Sequence, residues 1–222
     1  ADSSEVSVLL GEGGRRFKAL PKLFQDQRPD DPSLFDLNND GHLDLAFRGV
    51  EGVAWRKGDG AGGFGGHLLL TGPLDAFAFE RRDKVLSMYV AVSGLIHRYE
   101  LEGELHVAAR EVLMDLPPRE IPPTPYDRYQ LRLDTTSSGS GALWVWEHPR
   151  AEWVLRVSVD KAASVCRLAA FERQRIGGLG DWSGDGVLDL ISHRTCALCT
   201  SNQEIRLGHT IDTNSHTLTP PQ

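Results

Sequence analysis

Residues 36–45 read "DLNNDGHLDL", and this stretch places oxygen-bearing side chains in a fixed order between two apolar segments. The order is D-x-N-x-D-G-x-x-D, in which Asp36, Asn38, Asp40 and Asp44 take the first, third, fifth and ninth places. Gly41 permits the sharp turn that re-aims the backbone after the third of these side chains. A solvated turn does not need such an order, so the segment predicts a loop built to hold a ligand.

The same order recurs near the end of the chain. Residues 181–190 read "DWSGDGVLDL" and again end in Asp-Leu, with Asp181, Ser183, Asp185 and Asp189 at the corresponding places. Because three intervals of roughly 48 residues separate the two starts, the spacing is typical of a propeller blade. Two weaker copies are therefore expected between them, and we place their starts at Glu80 and Asp134.

The remaining sequence is dominated by short segments with strand character. Segments such as "LSMYVAV", "LIHRYEL" and "ALWVWEH" are rich in β-branched and aromatic residues, and clusters of Gly, Pro, Asn and Asp separate them. The one candidate helix, "LHVAAREVLMDL" at 105–116, reads nearly as well as a strand with a turn. The proline-dense stretch 116–127 is expected to be an exposed connection. The sequence therefore predicts an all-β chain.

A second landmark gives the extent of each unit. An apolar strand follows each start, and after the first of these strands comes the glycine turn "KGDGAGGFGG". The segment "VSVLLGEGGRRF" repeats that half near the beginning of the chain. We therefore predict one domain over 1–222 that contains a half unit and four complete units, at 5–30, about 34–72, about 74–115, about 127–173 and about 177–218.

These motifs resemble the FG-GAP/VCBS-type repeats of integrin α-subunit propellers and of many bacterial surface proteins. The resemblance is carried by the two D-x-[NS]-x-D-G-x-x-D segments and by the "GDGAGGFG" turn. It implies a small β-propeller of about four to five blades, each a four-stranded antiparallel sheet, with calcium in the loop between the first two strands of a blade.

Calcium suits the chemistry of these loops, because Ca²⁺ binds six to eight oxygen atoms at about 2.3–2.6 Å. In the first loop we expect the side chains of the four motif residues and the carbonyl of His42 as ligands. In the second loop we expect the four corresponding side chains and the carbonyl of Val187. Two Ca²⁺ sites with a structural role are therefore predicted. The copies near 80 and 134 are expected not to bind, because arginines or hydroxyls replace the carboxylates there.

Composition narrows the choice of partners. The chain has 222 residues and a net charge of −7, which argues against nucleic acid as the main partner. No apolar run approaches the roughly 20 residues of a membrane span. The resemblance to these repeats further implies an extracellular protein or glycan as the partner, and a secreted, periplasmic or cell-surface location.

Three cysteines stand in the second half of the chain, Cys166, Cys196 and Cys199. The "CALC" segment is compatible with a zinc half-site, a redox pair or a local disulfide. A zinc ion would need two further ligands, and only His193 lies close in sequence. A small disulfide among these residues is the preferred interpretation.

Two classes of function remain open. The first is a non-catalytic, calcium-stabilised binding or adhesion module, which the repeats, the acidic charge and the lack of catalytic motifs favour. The alternative is a glycan-active hydrolase or lyase on a propeller, for which Glu147 and Glu152 would be the candidates. Of the five tryptophans, we expect Trp55, Trp144 and Trp153 to pack between blades. Trp146 and Trp182 are the candidates for an exposed face that stacks on a sugar or anchors a protein, although core packing is the preferred interpretation for most of the five.

Overall fold

The computed structural model describes residues 7–20, 30–49, 51–69, 71–116, 128–134, 142–148, 154–158, 166–167, 174–180, 189–194, 210–212 and 217–219. All regular secondary structure in these ranges is β-strand. The prediction of an all-β chain is therefore confirmed for the part of the chain that is described. The segment at 105–116 is a strand rather than a helix.

The described ranges contain eighteen strands. The first ten are β1 Leu9–Gly13, β2 Arg16–Ala19, β3 Asp30–Phe35, β4 Asp44–Arg48, β5 Val53–Gly58, β6 Phe64–Leu69, β7 Ala76–Arg82, β8 Val85–Val92, β9 Leu95–Glu102 and β10 His106–Asp115. The remaining eight are β11 Arg128–Asp134, β12 Ala142–His148, β13 Val154–Ser158, β14 Cys166–Arg167, β15 Gln174–Gly180, β16 Asp189–Arg194, β17 Thr210–Asp212 and β18 Thr217–Thr219.

Within each sheet, strands that are consecutive in the chain pair with one another. Strands β3–β6, β7–β10 and β11–β14 form three four-stranded sheets in chain order, and their pairs run antiparallel. Three further hairpins, β1–β2, β15–β16 and β17–β18, form two-stranded sheets. The chain divides into two compact units, residues 1–93 with 97–111 and residues 94–96 with 112–222.

The two complete sheets of the first unit share an apolar core. Leu37, Ala46 and Val53 of the first sheet belong to one buried cluster with Phe77, Phe79, Leu86, Met88, Val90, Tyr99, Leu101 and Leu105. The rings of Phe35 and Phe79 lie 6.0 Å apart between the two sheets. A second cluster of Leu45, Phe47 and Ala54 covers the other face of the first sheet. Strand β4 is therefore buried on both faces, which explains its continuous apolar run.

In the second unit, strand β12 is also buried on both faces. Leu143, Trp144, Val145 and Trp146 are all buried, and Trp146 is only 6% exposed. Trp146 is therefore a core residue, and its candidacy for an exposed face is wrong. Since successive side chains of a strand point to opposite faces, four consecutive buried residues mean that both faces of β12 are covered. The side chains of Trp153 and Trp182 lie outside the described residues.

The buried carboxylate of Glu80 is satisfied by two neighbours. Glu80 is 7% exposed. It accepts a 2.6 Å hydrogen bond from the Tyr89 hydroxyl and a 2.7 Å hydrogen bond from the Arg82 guanidinium. Burial and this carboxylate raise the pKa of Tyr89 well above its usual value. The hydroxyl therefore stays protonated and acts as a permanent donor.

We expect Tyr89→Phe to lower the free energy of unfolding by about 1–3 kcal/mol, because it leaves one oxygen of a buried carboxylate without its donor. Urea denaturation measures the change. Tyr99→Phe is the matched control, since Tyr99 is also buried but its hydroxyl makes no hydrogen bond to a described residue. Equal losses in the two variants would contradict the role given to the Tyr89 hydroxyl.

Candidate functional site

The first oxygen-rich segment is the connection between β3 and β4. Phe35 pairs with Asp44, so the eight residues 36–43 form the loop and the ninth-place aspartate begins the next strand. Asn39 and Gly41 take positive φ angles of 61° and 85°. Asparagine and glycine are the residues that adopt this conformation most readily, so the sequence favours this path locally.

Inside the loop, the acidic side chains accept hydrogen bonds from the loop's own backbone. The two carboxylate oxygens of Asp36 accept from the amides of Asp40 and Gly41 at 3.1 and 3.0 Å. The side-chain oxygen of Asn38 also accepts a hydrogen bond from the backbone amide of Asp40 at 3.0 Å. The Asp40 carboxylate accepts one from the backbone amide of His42, also at 3.0 Å. The contacts of Asn38 and Asp40 each span two residues and are successive Asx turns, while those of Asp36 span four and five residues. Together they wind the chain around its oxygen atoms.

Asp44 takes part in a different way, because its side chain is fully buried. One carboxylate oxygen accepts from the Leu37 amide at 2.9 Å, and the other accepts from the Gly58 amide at 2.8 Å. The same side chain therefore ties the start of the loop to the end of β5. Gly58 has no room for a side chain, because a Cβ atom there would lie 2.0 Å from the carbonyl oxygen of Leu43.

Two cations contact this loop, and the sequence motif did not reveal either of them. The Lys57 ammonium lies 3.0 Å from an Asp40 oxygen. The Arg81 guanidinium, from β7 of the neighbouring sheet, donates to the carbonyl oxygens of Asp36 and Leu37 at 3.0 and 2.9 Å. Lys57 stands at the start of the glycine turn "KGDGAGG", and its position opposite the motif depends on the pairing of β4 with β5.

The donor set of the loop fits a hard cation in its chemistry. Every candidate side-chain ligand is an oxygen, and an oxygen that accepts one N–H group keeps a second lone pair. Among the described residues, however, no three His, Cys, Asp or Glu side chains converge on a metal-sized space. Asp44 is directed to two backbone amides, and Asp40 contacts an ammonium. His42 is exposed. Its ring lies against the backbone of Gly60, since a Cβ atom added to Gly60 would come within 2.4 Å of the Nδ1 atom of His42.

The second oxygen-rich segment occupies the same place in its hairpin. Gly180 pairs with Asp189, so residues 181–188 again form an eight-residue connection that ends at the ninth-place aspartate. In both hairpins three regular pairs separate the loop from a one-residue bulge on the first strand, which lies between Asp30 and Ser33 in β3 and between Ile176 and Gly178 in β15. The candidate ligands Asp181, Ser183, Asp185 and Val187, and the side chain of Asp189, lie outside the described residues.

The two weaker copies differ from these loops. Glu80 lies inside β7, so its interpretation as a loop start is wrong. The β7–β8 connection is the two-residue turn Asp83–Lys84 that follows the Arg82–Val85 pair. Asp134 ends β11 and pairs with Ala142, so seven residues connect β11 to β12. The conformation of that connection lies outside the described residues.

The other candidate residues are only partly described. Cys166 lies in β14, where it pairs with Arg156 of β13. Glu147 lies in β12 opposite Tyr129. Glu152, Cys196, Cys199 and the side chains of Glu147 and Cys166 lie outside the described parts of the chain, so the disulfide and the alternative catalytic pair stay predictions.

No protein-family model, curated protein or solved structure matches this chain. Within the described ranges, no helix is long and apolar enough to cross a membrane. The assignment of a role to the loops therefore depends on their own geometry.

We expect Asp40 to titrate far below an ordinary aspartate in the calcium-free protein. The hydrogen bond from Lys57, followed by that from the His42 amide, lowers the pKa of Asp40 from 3.8 to about 2. A depressed pKa means that this contact contributes fully above about pH 4 and is lost as the pH falls toward 2. The carbon-13 shift of the carboxyl group measures the midpoint.

In Lys57→Met we expect that midpoint to move upward, toward the ordinary value, because the largest cause of the lowered pKa has been removed. Lys18→Met is the control, since Lys18 is an exposed lysine on β2, outside the loop. An unchanged Asp40 midpoint in Lys57→Met would show that backbone amides alone hold the carboxylate ionised.

Proposed function

We propose that this chain is a non-catalytic, calcium-stabilised extracellular module that binds a protein or glycan. In this proposal the four-stranded sheets are blades of a small β-propeller of about four to five blades. The loops at 36–44 and 181–189 each hold one Ca²⁺ ion and order the connection between the first two strands of a blade.

The observation that carries this proposal is the matching register of the two hairpins. Two segments 145 residues apart in sequence share an oxygen order, a loop of eight residues and a bulge that lies three strand pairs away from the loop. A solvated turn needs neither the repeated order nor the matched length. A common ligand for the two loops explains both.

The first loop provides the chemistry that a hard cation requires. Its oxygens come from Asp36, Asn38 and Asp40, and Asp44 closes the segment. Bound calcium would neutralise carboxylates that lie on one short loop, a role that the Lys57 ammonium fills in part for Asp40. We infer that calcium competes with this ammonium for Asp40.

Removal of calcium is expected to lower the melting temperature by several degrees. With a dissociation constant of about 10⁻⁴–10⁻³ M, calcium at about 10 mM stabilises the folded state by roughly 1.4–2.7 kcal/mol per site. Thermal unfolding in a chelator and after calcium is restored measures this. The same melting temperature under both conditions would contradict the proposal.

Asp36→Ala and Asp181→Ala are each expected to reduce the number of bound calcium ions from two to one, because each removes the first ligand of one loop. Equilibrium dialysis with elemental analysis gives the count. Asp115→Ala is the matched control, since it removes an exposed carboxylate at the end of β10, outside both loops. Equal counts in all three variants and the original chain would disprove the ligand assignment.

Lys57→Met is expected to raise the calcium affinity of the first loop about two- to five-fold, because it removes the competing ammonium from an exposed pair. Calorimetric titration in the Asp181→Ala background isolates this loop. Lys18→Met in the same background controls for the change in net charge. A weaker affinity in Lys57→Met would mean that the lysine supports the ion rather than competes with it.

A further inference from the structure

A groove in the first unit opens beside the 36–44 loop. It has a volume of 880 Å³, within the range of about 300–1,000 Å³ that is typical of small-molecule sites. Its walls come from three places in the fold: the loop itself, the end of β5 with the β5–β6 turn, and the turn between β9 and β10. All of these residues belong to the same compact unit.

One side of the groove is bare backbone. The register of β6 against β5 shifts after the Lys57–Gly65 pair, and Gly66 takes a positive φ of 69° in this bulge. A Cβ atom on Gly65 or Gly66 would meet nothing within 4 Å. Adjacent glycines therefore leave open space at a bulge, a feature that occurs preferentially beside binding sites.

The rest of the lining combines hydrogen-bond donors and acceptors with one aromatic side chain, Trp55. Asp40, Asp59 and Glu104 contribute carboxylates, and Lys57 and His106 contribute nitrogen groups. Trp55 lines the groove and packs its other side against the apolar core. Its indole N–H is buried and makes no hydrogen bond to a described residue.

The charges in the groove decide which chemistry it can accept. Three carboxylates face one lysine, so phosphate and other anions are repelled. Two of the carboxylates are already engaged, since Asp40 pairs with Lys57 and Asp59 accepts the amides of Ala61 and Gly63 at 2.7 and 2.8 Å. The lining therefore offers many hydrogen-bonding groups and keeps an excess of negative charge, which disfavours anionic ligands. A neutral polyhydroxyl ligand, whose hydroxyls both donate and accept, matches this set.

We infer that this groove binds a neutral saccharide of one to three sugar units. In this assignment an apolar face of a sugar ring packs against Trp55, while Glu104 and His106 bond to its hydroxyls. The inference rests on the proposed role as a binding module and chooses glycan over protein as the ligand of this groove. Asn38 and Asp40 belong both to this groove and to the proposed calcium loop, so the saccharide test is run with and without calcium.

The test uses an array of neutral and acidic oligosaccharides, followed by calorimetry with the free form of the strongest neutral hit. Gly65→Tyr is the key variant, because its φ is not positive and its side chain would enter open space in the groove. Gly11→Tyr is the matched control: it makes the same change on exposed strand β1, where a Cβ atom also meets nothing within 4 Å. Glu104→Gln removes one exposed carboxylate from the groove.

We expect neutral saccharide binding by the original chain, at least a ten-fold loss in Gly65→Tyr, a smaller loss in Glu104→Gln and no change in Gly11→Tyr. Absence of binding to any neutral saccharide would overturn the inference, and so would equal binding by Gly65→Tyr and Gly11→Tyr. Exclusive binding of acidic saccharides would overturn it as well. Thermal unfolding of the same samples in a chelator tests the calcium proposal separately. Failure of the saccharide inference is therefore distinguishable from failure of the calcium proposal.

Discussion

The buried carboxylate of Asp44 is the constraint around which the first sheet is arranged. A fully buried charge is stable in a protein only when hydrogen bonds replace its water. Asp44 obtains those bonds from the amides of Leu37, in the loop before β4, and of Gly58, at the end of β5. The Asp44 side chain therefore holds together the 36–43 loop, the start of β4 and the end of β5, where the glycine turn begins. Gly58 completes the arrangement, because any larger residue would collide with the Leu43 carbonyl.

This constraint gives the ninth-place aspartate a role in folding, whatever the loop binds. In β15–β16 the residue at the corresponding place, Asp189, pairs with Gly180 as Asp44 pairs with Phe35. The motif therefore joins two functions in one short segment. Its last acid anchors the strand, while its first three polar residues wind the loop. A ligand that enters such a loop finds the backbone already turned around its oxygen atoms, so less ordering remains to be done on binding.

The sequence predicted the central strands well and most of the outer strands poorly. Strands β4 and β8 are buried on both faces, and their continuous apolar runs are strong signals. The first strand of each sheet gave no such signal: β3 contains Pro32 and two acids, and β15 contains three glycines. Edge strands tolerate these residues because one row of their backbone groups needs no partner. Trp146 was a candidate for an exposed face, but it lies in a run of four buried residues on β12, a strand covered on both faces.

The candidate site was predictable to a similar degree. The oxygen order of residues 36–44 is a local property, and the structure shows it as a wound loop with Asn39 and Gly41 at positive φ. The contacts of Lys57 and Arg81 with the loop were not predictable from the sequence. They depend on how β5 pairs with β4 and how β7 packs beside the first sheet, and the sequence pattern predicts neither. The glycines of the β5–β6 segment were read as a turn. Their second role, as the open wall of a groove, appears only when β9–β10 is placed opposite.

The hairpin β7–β8 bears on why the long loops exist. It pairs seven residues from each strand without a bulge and closes with only two residues. The first two strands of a sheet therefore do not need an eight-residue connection in order to pair. Lengthening a loop from two to eight residues raises the entropic cost of closure by roughly 1 kcal/mol, since each doubling adds about 0.6 kcal/mol. An oxygen-rich connection of eight residues appears twice in the chain against this cost, which supports the proposal that the loop holds a ligand.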